Sequence, residues 1–401
     1  MLRHELKSRR DEIPPFSLTA EFRPIIRRLR ATTARGGISG FMRFSGYLPF
    51  TIAFSLLAGT AQAAGLSIGV VAPTEGNFAL LGKQIFDGAA ARIAADGNTA
   101  VPIAENCEPD SGAAIARQIV DAKVVAAVGF LCSETLEGAL PALKEAQVPV
   151  VTVSVRATIL MEDALTAGWP LYRLAPADGS EARRIIDFIL SDWASQPIAL
   201  VEDGTIHGRE LTEAVRNALE EKGLKPVFTD TYRPGQDQQL ALVRRLEKAG
   251  ATQVFIGGDR ADAAVIARDA TQENIKLTLL GGDALNAANQ PVPLKDGVRA
   301  VVLPDHAADP ANAALVKAFR ASTVEPEGYV LPAYAAAGIV GEAASIAANE
   351  NKPIIEALQM RAFETVLGPV RFTDTHELTE NPYQVLEWRG NAFATPTPPT
   401  E

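Results

Sequence analysis

Residues 124–143, VVAAVGFLCSETLEGALPAL, pass from one structural pattern to another and decide the fold class. Their first part is an apolar, valine-containing run that predicts a buried strand, and helical spacing follows it. Cys132 lies on the turn between the two elements. A cysteine at such a turn serves as a nucleophile, as half of a disulfide, or as one wall of an anion-binding site at a helix N-terminus. The local sequence leaves these three interpretations open.

The same strand-to-helix pattern repeats along most of the chain. Nine apolar runs are predicted strands: 66–73, 101–105, 124–131, 148–154, 197–203, 225–232, 252–258, 276–282 and 298–304. They lack polar–apolar alternation, which is typical of parallel strands covered by helices on both faces. Several helical segments between them end in Gly, a common helix terminator. The predicted fold class is therefore α/β.

Two such series of strands meet near residues 171–182 without a flexible linker. We therefore predict two doubly wound parallel-sheet lobes, joined by short crossovers that form a hinge beside a ligand cleft. Ligands of open α/β sheets bind outside the carboxyl ends of the strands. The residues that follow each strand are the first candidates for a binding site.

The N-terminal part has the features of a secretory signal. From Met42 a basic residue precedes an apolar run to about residue 57, and Ala61 and Ala63 fit the pattern that signal peptidase reads. We therefore predict that Met42 is the true start and that cleavage follows Ala63; a membrane anchor is the alternative. Residues 1–63 thus comprise an N-terminal extension and a signal peptide, and residues 1–41 are either an over-long start or a basic cytoplasmic extension on the signal.

Charge and cysteine content limit the function classes. Residues 1–63 carry ten Lys and Arg against four Asp and Glu, so their removal changes the formal net charge from −10 to −16. An acidic exported chain argues against nucleic acid or an anionic membrane as partner. Two cysteines in an oxidising compartment most simply form one disulfide.

Polar side chains after the predicted strands suggest a site for a zwitterion. In the first series Ser133, Arg156 and Thr158 supply hydrogen-bond donors for an anion, next to a helix start. In the second series His207, Asp259 and Asp283 follow strands, and the two carboxylates suit a cation. Donors on one lobe and carboxylates on the other predict an amino-acid ligand.

Catalytic and cofactor sites have weaker support. The first strand is not followed by GxGxxG, and GxxxxGK[ST] does not occur, so a phosphate cradle is not expected. The Cys and His residues show neither CxxC nor HExxH spacing, so no metal and no cofactor are expected. A Cys132 nucleophile needs His207, His306 or His376 within reach. The chain is therefore not expected to be an enzyme.

Eight segments together resemble the periplasmic solute-binding proteins of ABC transporters, type I fold, leucine/isoleucine/valine-binding group. They are IGVVAPTEGNFALLGKQIFDGA, ENCEPDSGAAIARQIVD, AAVGFLCSET, VPVVTVSVRAT, IALVEDGTIHG, VFIGGDRADA, LLGGDAL and ETVLGPVRFTD. Each segment alone is a weak indication of the family, but all eight occur in the order that the family has. The resemblance covers about residues 65–392.

The resemblance implies a disulfide between Cys107 and Cys132. It also implies three hinge crossovers, so that each lobe draws on separate parts of the chain. The implied ranges are 64–176 with 303–367 for the first lobe, 177–302 with 368–393 for the second, and 394–401 for a flexible tail.

The resemblance also implies binding roles. Ser133 matches the residue that holds the ligand α-carboxylate, and Thr158 matches the threonine that binds the same carboxylate and the ammonium. Asp283 matches the acidic residue that faces the ammonium. Leu81 stands where an aromatic residue commonly covers the ligand side chain.

Three positions depart from that family pattern. His207 replaces a usual Tyr, Asp259 replaces a frequent aromatic residue, and Arg156 adds a charge. These polar groups would stay unpaired against a leucine side chain, which favours a polar or charged amino acid, or a related small zwitterion.

The expected function is capture of this ligand in the periplasm by hinge closure and delivery to an ABC permease in the inner membrane. The protein is expected to act as a monomer. The alternatives are a ligand-sensing receptor module of the same fold, a Cys132-dependent enzyme, and an envelope scaffold without a ligand.

Overall fold

A five-stranded parallel sheet forms the centre of one lobe in the computed structural model, which describes residues 65–396. The expected start at Met42 and cleavage after Ala63 lie outside the described residues. The strands follow the order β2-β1-β3-β4-β5. Their bounds are β1 Ser67–Pro73, β2 Thr99–Glu105, β3 Ala126–Gly129, β4 Val150–Thr152 and β5 Leu171–Arg173. We call this sheet and its helices the first lobe.

A seven-stranded sheet forms the centre of the second lobe. Its first five strands in the chain are parallel, and two later strands extend it antiparallel beyond β10. Between the two groups, β11 and β12 form a separate antiparallel pair. The bounds are β6 Ile198–Glu202, β7 Phe228–Thr231, β8 Gln253–Gly257, β9 Thr278–Gly281, β10 Arg299–Val302, β11 Ala362–Thr365, β12 Gly368–Arg371, β13 Gln384–Arg389 and β14 Ala392–Ala394. The order is β14-β13-β10-β9-β8-β6-β7.

Helices alternate with the parallel strands, so the α/β prediction is confirmed. The bounds are α1 Ala79–Ala95, α2 Gly112–Asp121, α3 Ser133–Glu145, α4 Thr158–Ala167, α5 Ser180–Phe188, α6 Ile206–Glu221, α7 Leu240–Lys248, α8 Arg260–Gln272, α9 Ala313–Ala321, α10 Val330–Glu350 and α11 Ile354–Met360. A short 3₁₀ turn, Asp283–Asn286, follows β9.

Each sheet is covered on both faces, which explains why its central strands are apolar throughout. In β1, Ile68 and Val70 enter one buried cluster while Val71 enters another. In β8, Val254 packs on one side and Phe255 on the other. Successive side chains of a strand point to opposite faces, so a strand between two helical layers has no side for polar residues.

Helix α10 is long and apolar enough to cross a membrane by length and composition, but 72% of its most apolar window is buried inside the protein. Its many alanines let it pack closely on α1 and the first sheet. At Gly88 of α1, an added Cβ would lie 2.0 Å from the carbonyl oxygen of Val330. The absence of a side chain at this position therefore permits the close helix contact.

The chain passes between the lobes three times: after β5, after β10, and between β12 and β13. The third passage comes later than the predicted boundary at residue 368. Val370 and Phe372 belong to the buried cluster of the first lobe, and the Phe372 ring meets the Tyr172 ring edge-on at 5.2 Å. Residues 368–377 therefore pack with the first lobe, because their apolar side chains complete its core.

The expected tail also begins too early. Ala394 belongs to β14 and pairs with Glu387 of β13. Backbone pairing with β13 therefore holds this residue in the second sheet.

Candidate ligand-binding cleft

The turn after β3 carries a disulfide rather than a free thiol. Cys132 is bonded to Cys107, with the two Cα atoms 5.4 Å apart, which confirms the implied pairing. The bonded sulfur is not a thiolate, so the arrangement does not offer a Cys132 nucleophile. The bridge ties this turn to the loop that follows β2, and it fixes the start of α3.

Glu105, the last residue of β2, holds the same turn from inside. Its carboxylate accepts hydrogen bonds from the N–H of Leu131 at 2.7 Å and of Cys132 at 3.1 Å, and it contacts the Thr135 hydroxyl. The residue is only 3% exposed. Burial raises the pKa of Glu105, against the lowering effect of its hydrogen bonds. The turn therefore depends on a buried acid as well as on the disulfide.

This arrangement also explains a cluster of potential metal ligands. Within residues 65–396, the ligand atoms of Glu105, Cys107 and Cys132 lie within 4.8 Å of one another. The two sulfurs are bonded to each other, so they are not available as thiolates. The cluster has a structural explanation that involves no metal.

Two helices of the first lobe begin at candidate residues. Ser133 is the first residue of α3 and is half-buried, and the exposed Thr158 is the first residue of α4. The first N–H groups of an α-helix lack acceptors within the helix, and the helix dipole makes this end favourable for anions. The bond from the Leu136 N–H to the Cys132 carbonyl closes the first turn of α3. Both starts therefore present donors suited to a carboxylate.

Arg156 reaches from the loop before α4 towards the second lobe. Its guanidinium donates to the hydroxyl of Tyr383 at 3.2 Å, and Tyr383 is buried in a core cluster of the second lobe. Burial lowers the pKa of Arg156, but the fields of Tyr383, Tyr329 and Asp283 outweigh it and raise that pKa. Arg156 is therefore a charged group where the lobes meet.

Two carboxylates of the second lobe face this guanidinium. The N–H of Asp283 donates to Glu181 Oε1 at 2.7 Å, and Asp283 Oδ1 accepts from the Leu303 N–H at 3.2 Å. Burial raises the pKa of both carboxyls, while the positive fields of Arg156 and His207 act in the opposite direction. The pair is thus fixed by backbone contacts and lies within electrostatic reach of two basic side chains.

The predicted site residues divide into three groups. Arg156 and His207 each come within electrostatic reach of Asp283. Ser133 and Thr158 start helices of the first lobe, and Leu81 is half-buried near the start of α1.

Asp259 forms the third group and has a structural task. Its carboxylate caps α8 by accepting from the Asp262 N–H at 2.9 Å. It belongs to an acidic group with Asp203 and Asp262 around the buried Tyr232, rather than to the pair of Glu181 and Asp283.

Sequence reasoning missed Glu181, Tyr329 and Tyr383. Glu181 is in the first turn of α5, directly after the first passage between the lobes, and Tyr383 ends the third passage. Examining only the residues after strands excluded both positions. The signal that could have found them is their place next to the crossovers, since these segments border the space between the lobes.

A family model described as "Periplasmic binding protein" matches residues 65–392. The chain belongs to the periplasmic binding protein family. This match spans both lobes and all three passages of the binding protein, and it leaves out only the last four described residues.

Named relatives agree with this family. The "Amino acid binding protein" of Pseudomonas aeruginosa is 27% identical over 361 residues, covering 86% of this chain and 95% of its own length. "Leu/Ile/Val-binding protein homolog 3" of Brucella melitensis is 25% identical over 355 residues, covering 84% of this chain and 96% of its own. A structure of a putative branched-chain amino acid ABC transporter from Rhodospirillum rubrum superposes with a TM-score of 0.69. It is 21% identical, covers 82% of this chain and 99% of its own, and supports the fold.

Proposed function

We propose that this periplasmic binding protein is the substrate-binding component of an ABC importer and captures an amino acid or related small zwitterion. The observation that carries the proposal is the division of charge between the lobes. The first lobe offers two helix starts and Arg156, whereas the second offers the carboxylates of Asp283 and Glu181. The relatives named for amino-acid binding support the same ligand class.

Capture begins on the first lobe. The ligand α-carboxylate accepts hydrogen bonds from Ser133 and from Thr158, where the positive ends of two helix dipoles favour an anion. Asp283 then faces the ammonium group when the second lobe closes. Closure requires that the ligand bind the closed form more tightly than the open form, which contacts to both lobes provide. The closed form docks on a membrane permease. The three passages act as hinges, and no cofactor or chemical step takes part.

The ligand side chain is polar or charged in this proposal. His207 and Arg156 border the space where the lobes meet, and an aliphatic side chain would remove water from them without replacing its hydrogen bonds. A site that pairs such groups rejects ligands that leave them unpaired. We therefore propose that leucine binds more weakly than a polar amino acid.

Residence in the periplasm and monomeric action are part of the same proposal. The first is supported by the family and by the signal pattern of residues 42–63. A sensing module of the same fold is the rival function. Neighbouring permease and ATPase genes would support transport, and light scattering of the purified protein tests for the monomer.

Isothermal titration calorimetry with glutamine, glutamate, serine, arginine, leucine and p-hydroxybenzoate tests the proposed function. We expect tight binding of at least one polar amino acid. Weak binding is expected for p-hydroxybenzoate, which has a carboxylate but no ammonium group for Asp283. Tight binding of leucine alone would contradict the proposed ligand class, and no binding across the panel would contradict amino-acid capture. Mass spectrometry of ligand released from the denatured native protein identifies solutes outside the panel.

A further inference from the structure

Arg173, at the end of β5, is fully buried and uses its guanidinium to join two distant segments. Its Nε donates to Glu377 Oε2 at 2.8 Å, and its Nη2 pairs with Glu377 Oε1. Its Nη1 donates to the carbonyl of Ala157 at 3.0 Å and to that of Arg156. The planar guanidinium therefore binds a carboxylate with one edge and two backbone carbonyls with another nitrogen.

The two carbonyls belong to the loop that carries candidate ligand-binding residues. Arg156 and Ala157 directly precede Thr158, the first residue of α4. The carbonyl of Arg156 also accepts from the N–H of Asp178, in the first passage between the lobes, at 3.1 Å. Because these carbonyls are held on the buried side, the orientation of the loop backbone at the start of α4 is fixed. This backbone sets where the Arg156 and Thr158 side chains begin.

Glu377 belongs to the segment that leads into the third passage. This segment is attached to β5 by its backbone, since the Arg173 N–H donates to the His376 carbonyl at 3.0 Å. The His376 ring stacks on Tyr172 at 4.2 Å, and its Nδ1 is 2.9 Å from the Leu171 carbonyl oxygen. The attachment therefore holds independently of the Glu377 carboxylate, so a change at Glu377 alters the ion pair without detaching the segment.

A buried cation with a carboxylate partner has a purely structural explanation, namely neutralisation of its charge. Neutralisation alone does not explain the two further bonds to successive carbonyls of the ligand-binding loop. In the second lobe, the buried Arg260 has a comparable arrangement with no carboxylate partner among residues 65–396: it donates to the Leu285 carbonyl at 2.7 Å and to Asn289. A buried arginine in this protein therefore need not be neutralised by an acid.

We propose that Arg173 is a positioning residue for ligand binding and that Glu377 orients it, so that the third passage is coupled to the loop of Arg156 and Thr158. The inference rests on the proposed function, because it assigns this loop to the ligand. The Glu377 segment is held on β5, so the Glu377 carboxylate keeps the guanidinium in place while the third passage changes conformation beyond it as the lobes close. The guanidinium in turn holds the loop in its ligand-binding position. Removing the Glu377 charge leaves the loop fold intact but less restrained.

The test compares Glu377→Gln with wild type, and Arg173→Lys serves as the second variant. Glu387→Gln is the matched control, because Glu387 also forms an ion pair, with Arg299 of the second sheet, away from this loop. Hydrogen exchange of the ligand-free proteins is measured for peptides that cover residues 154–161, and for residues 131–137 as an internal reference. Calorimetry then measures the affinity for the tightest-binding amino acid of the panel. Each protein is measured with and without the additional substitution Thr158→Val.

We expect Glu377→Gln to speed amide exchange in residues 154–161 about tenfold, with residues 131–137 and the control variant unchanged. We also expect Thr158→Val to weaken binding several-fold less in the Glu377→Gln background than in wild type, since the loop is already misplaced. Unchanged exchange in the loop, or fully additive losses of affinity, would overturn the inference. If wild type binds no panel member, amino-acid capture fails while the exchange measurement still decides whether Glu377 restrains the loop.

Discussion

The guanidinium of Arg156 and the hydroxyl of Tyr383 form a 3.2 Å hydrogen bond between residues 227 positions apart in the chain. The bond connects the loop before α4 in the first lobe with the end of the third passage in the second. It brings the one predicted basic side chain of the first lobe to the place where the lobes meet. Arg156 therefore links the loop before α4 to the second lobe at the place where the lobes meet.

Arg156→Leu is expected to change ligand preference. The substitution removes a charge that an aliphatic ligand leaves unpaired, so the affinity ratio of leucine to the best polar amino acid should rise by about tenfold. Calorimetry with both ligands measures this ratio. Tyr383→Phe is the control, because it removes the partner hydroxyl and keeps the guanidinium. An unchanged affinity ratio in Arg156→Leu would show that this side chain does not contribute to ligand selectivity.

Asp283→Asn is expected to weaken amino-acid binding by about 10- to 100-fold, because loss of a charge-assisted hydrogen bond costs roughly 1.5–3 kcal/mol. Asn keeps the side-chain oxygen that accepts from the Leu303 N–H, so the fold is preserved. Asp296→Asn is the matched control, since Asp296 also accepts a backbone N–H, from Gly390, in the loop before β10. Equal affinities of wild type and Asp283→Asn would remove Asp283 from the site.

Reduction of the disulfide is expected to lower the free energy of unfolding by about 3.5 kcal/mol in the chain-entropy estimate. The estimate follows from the 25-residue separation of Cys107 and Cys132. Urea unfolding of wild type with and without reductant measures the change, and a Cys107→Ser, Cys132→Ser double variant should show no further effect of reductant. Thiol titration of the native oxidised protein should find both cysteines blocked. A reactive thiol would instead support the alternative of a Cys132-dependent enzyme.

Asp262 is expected to make the fold less stable as the pH rises from about 4 to 6. Burial raises the pKa of this carboxyl from 3.8 to about 6, with Asp259 and Asp203 adding to the effect and the Gly235 N–H opposing it. Between these values the folded state binds more protons than the unfolded state, so the free energy of unfolding falls with rising pH. A shift of this size corresponds to roughly 3 kcal/mol.

Asp262→Asn tests this pH dependence, because Asn keeps an oxygen for the Gly235 N–H and does not titrate. The stability difference between the variant and wild type should grow in favour of the variant as the pH rises from 4 to 7. Parallel stability curves would show that Asp262 ionises without cost in the folded protein.

Strand patterns predicted most of the fold because the central strands are apolar on both faces, as in β1 and β8. Strand β5 escaped prediction because it has only three residues, Leu171–Arg173, one of which is a buried arginine. Strands β13 and β14 pair antiparallel and expose residues such as Arg389, so they lack the continuous apolar pattern. The late third passage was missed because the first lobe needs Phe372, a long-range requirement that local sequence does not show.

The candidate site residues were chosen because they follow strand ends, and their role in ligand binding stays a prediction. Cys132, Arg156 and Asp283 were chosen in this way, and the structure gives each a defined environment. Glu181 and Tyr383 were not, because their approach to Arg156 depends on how the crossovers fold. Asp259 was chosen in the same way, and the structure shows that its position after a strand also suits a helix cap.

The described chain begins just before β1, an interior strand of the first sheet, and its last strand is β14, at the outer edge of the second. The two ends consequently belong to different lobes. A donor dye attached near residue 65 and an acceptor dye attached near residue 396 would therefore report lobe motion as a change in energy transfer. Lobe closure can thus be measured by energy transfer without any label inside the cleft.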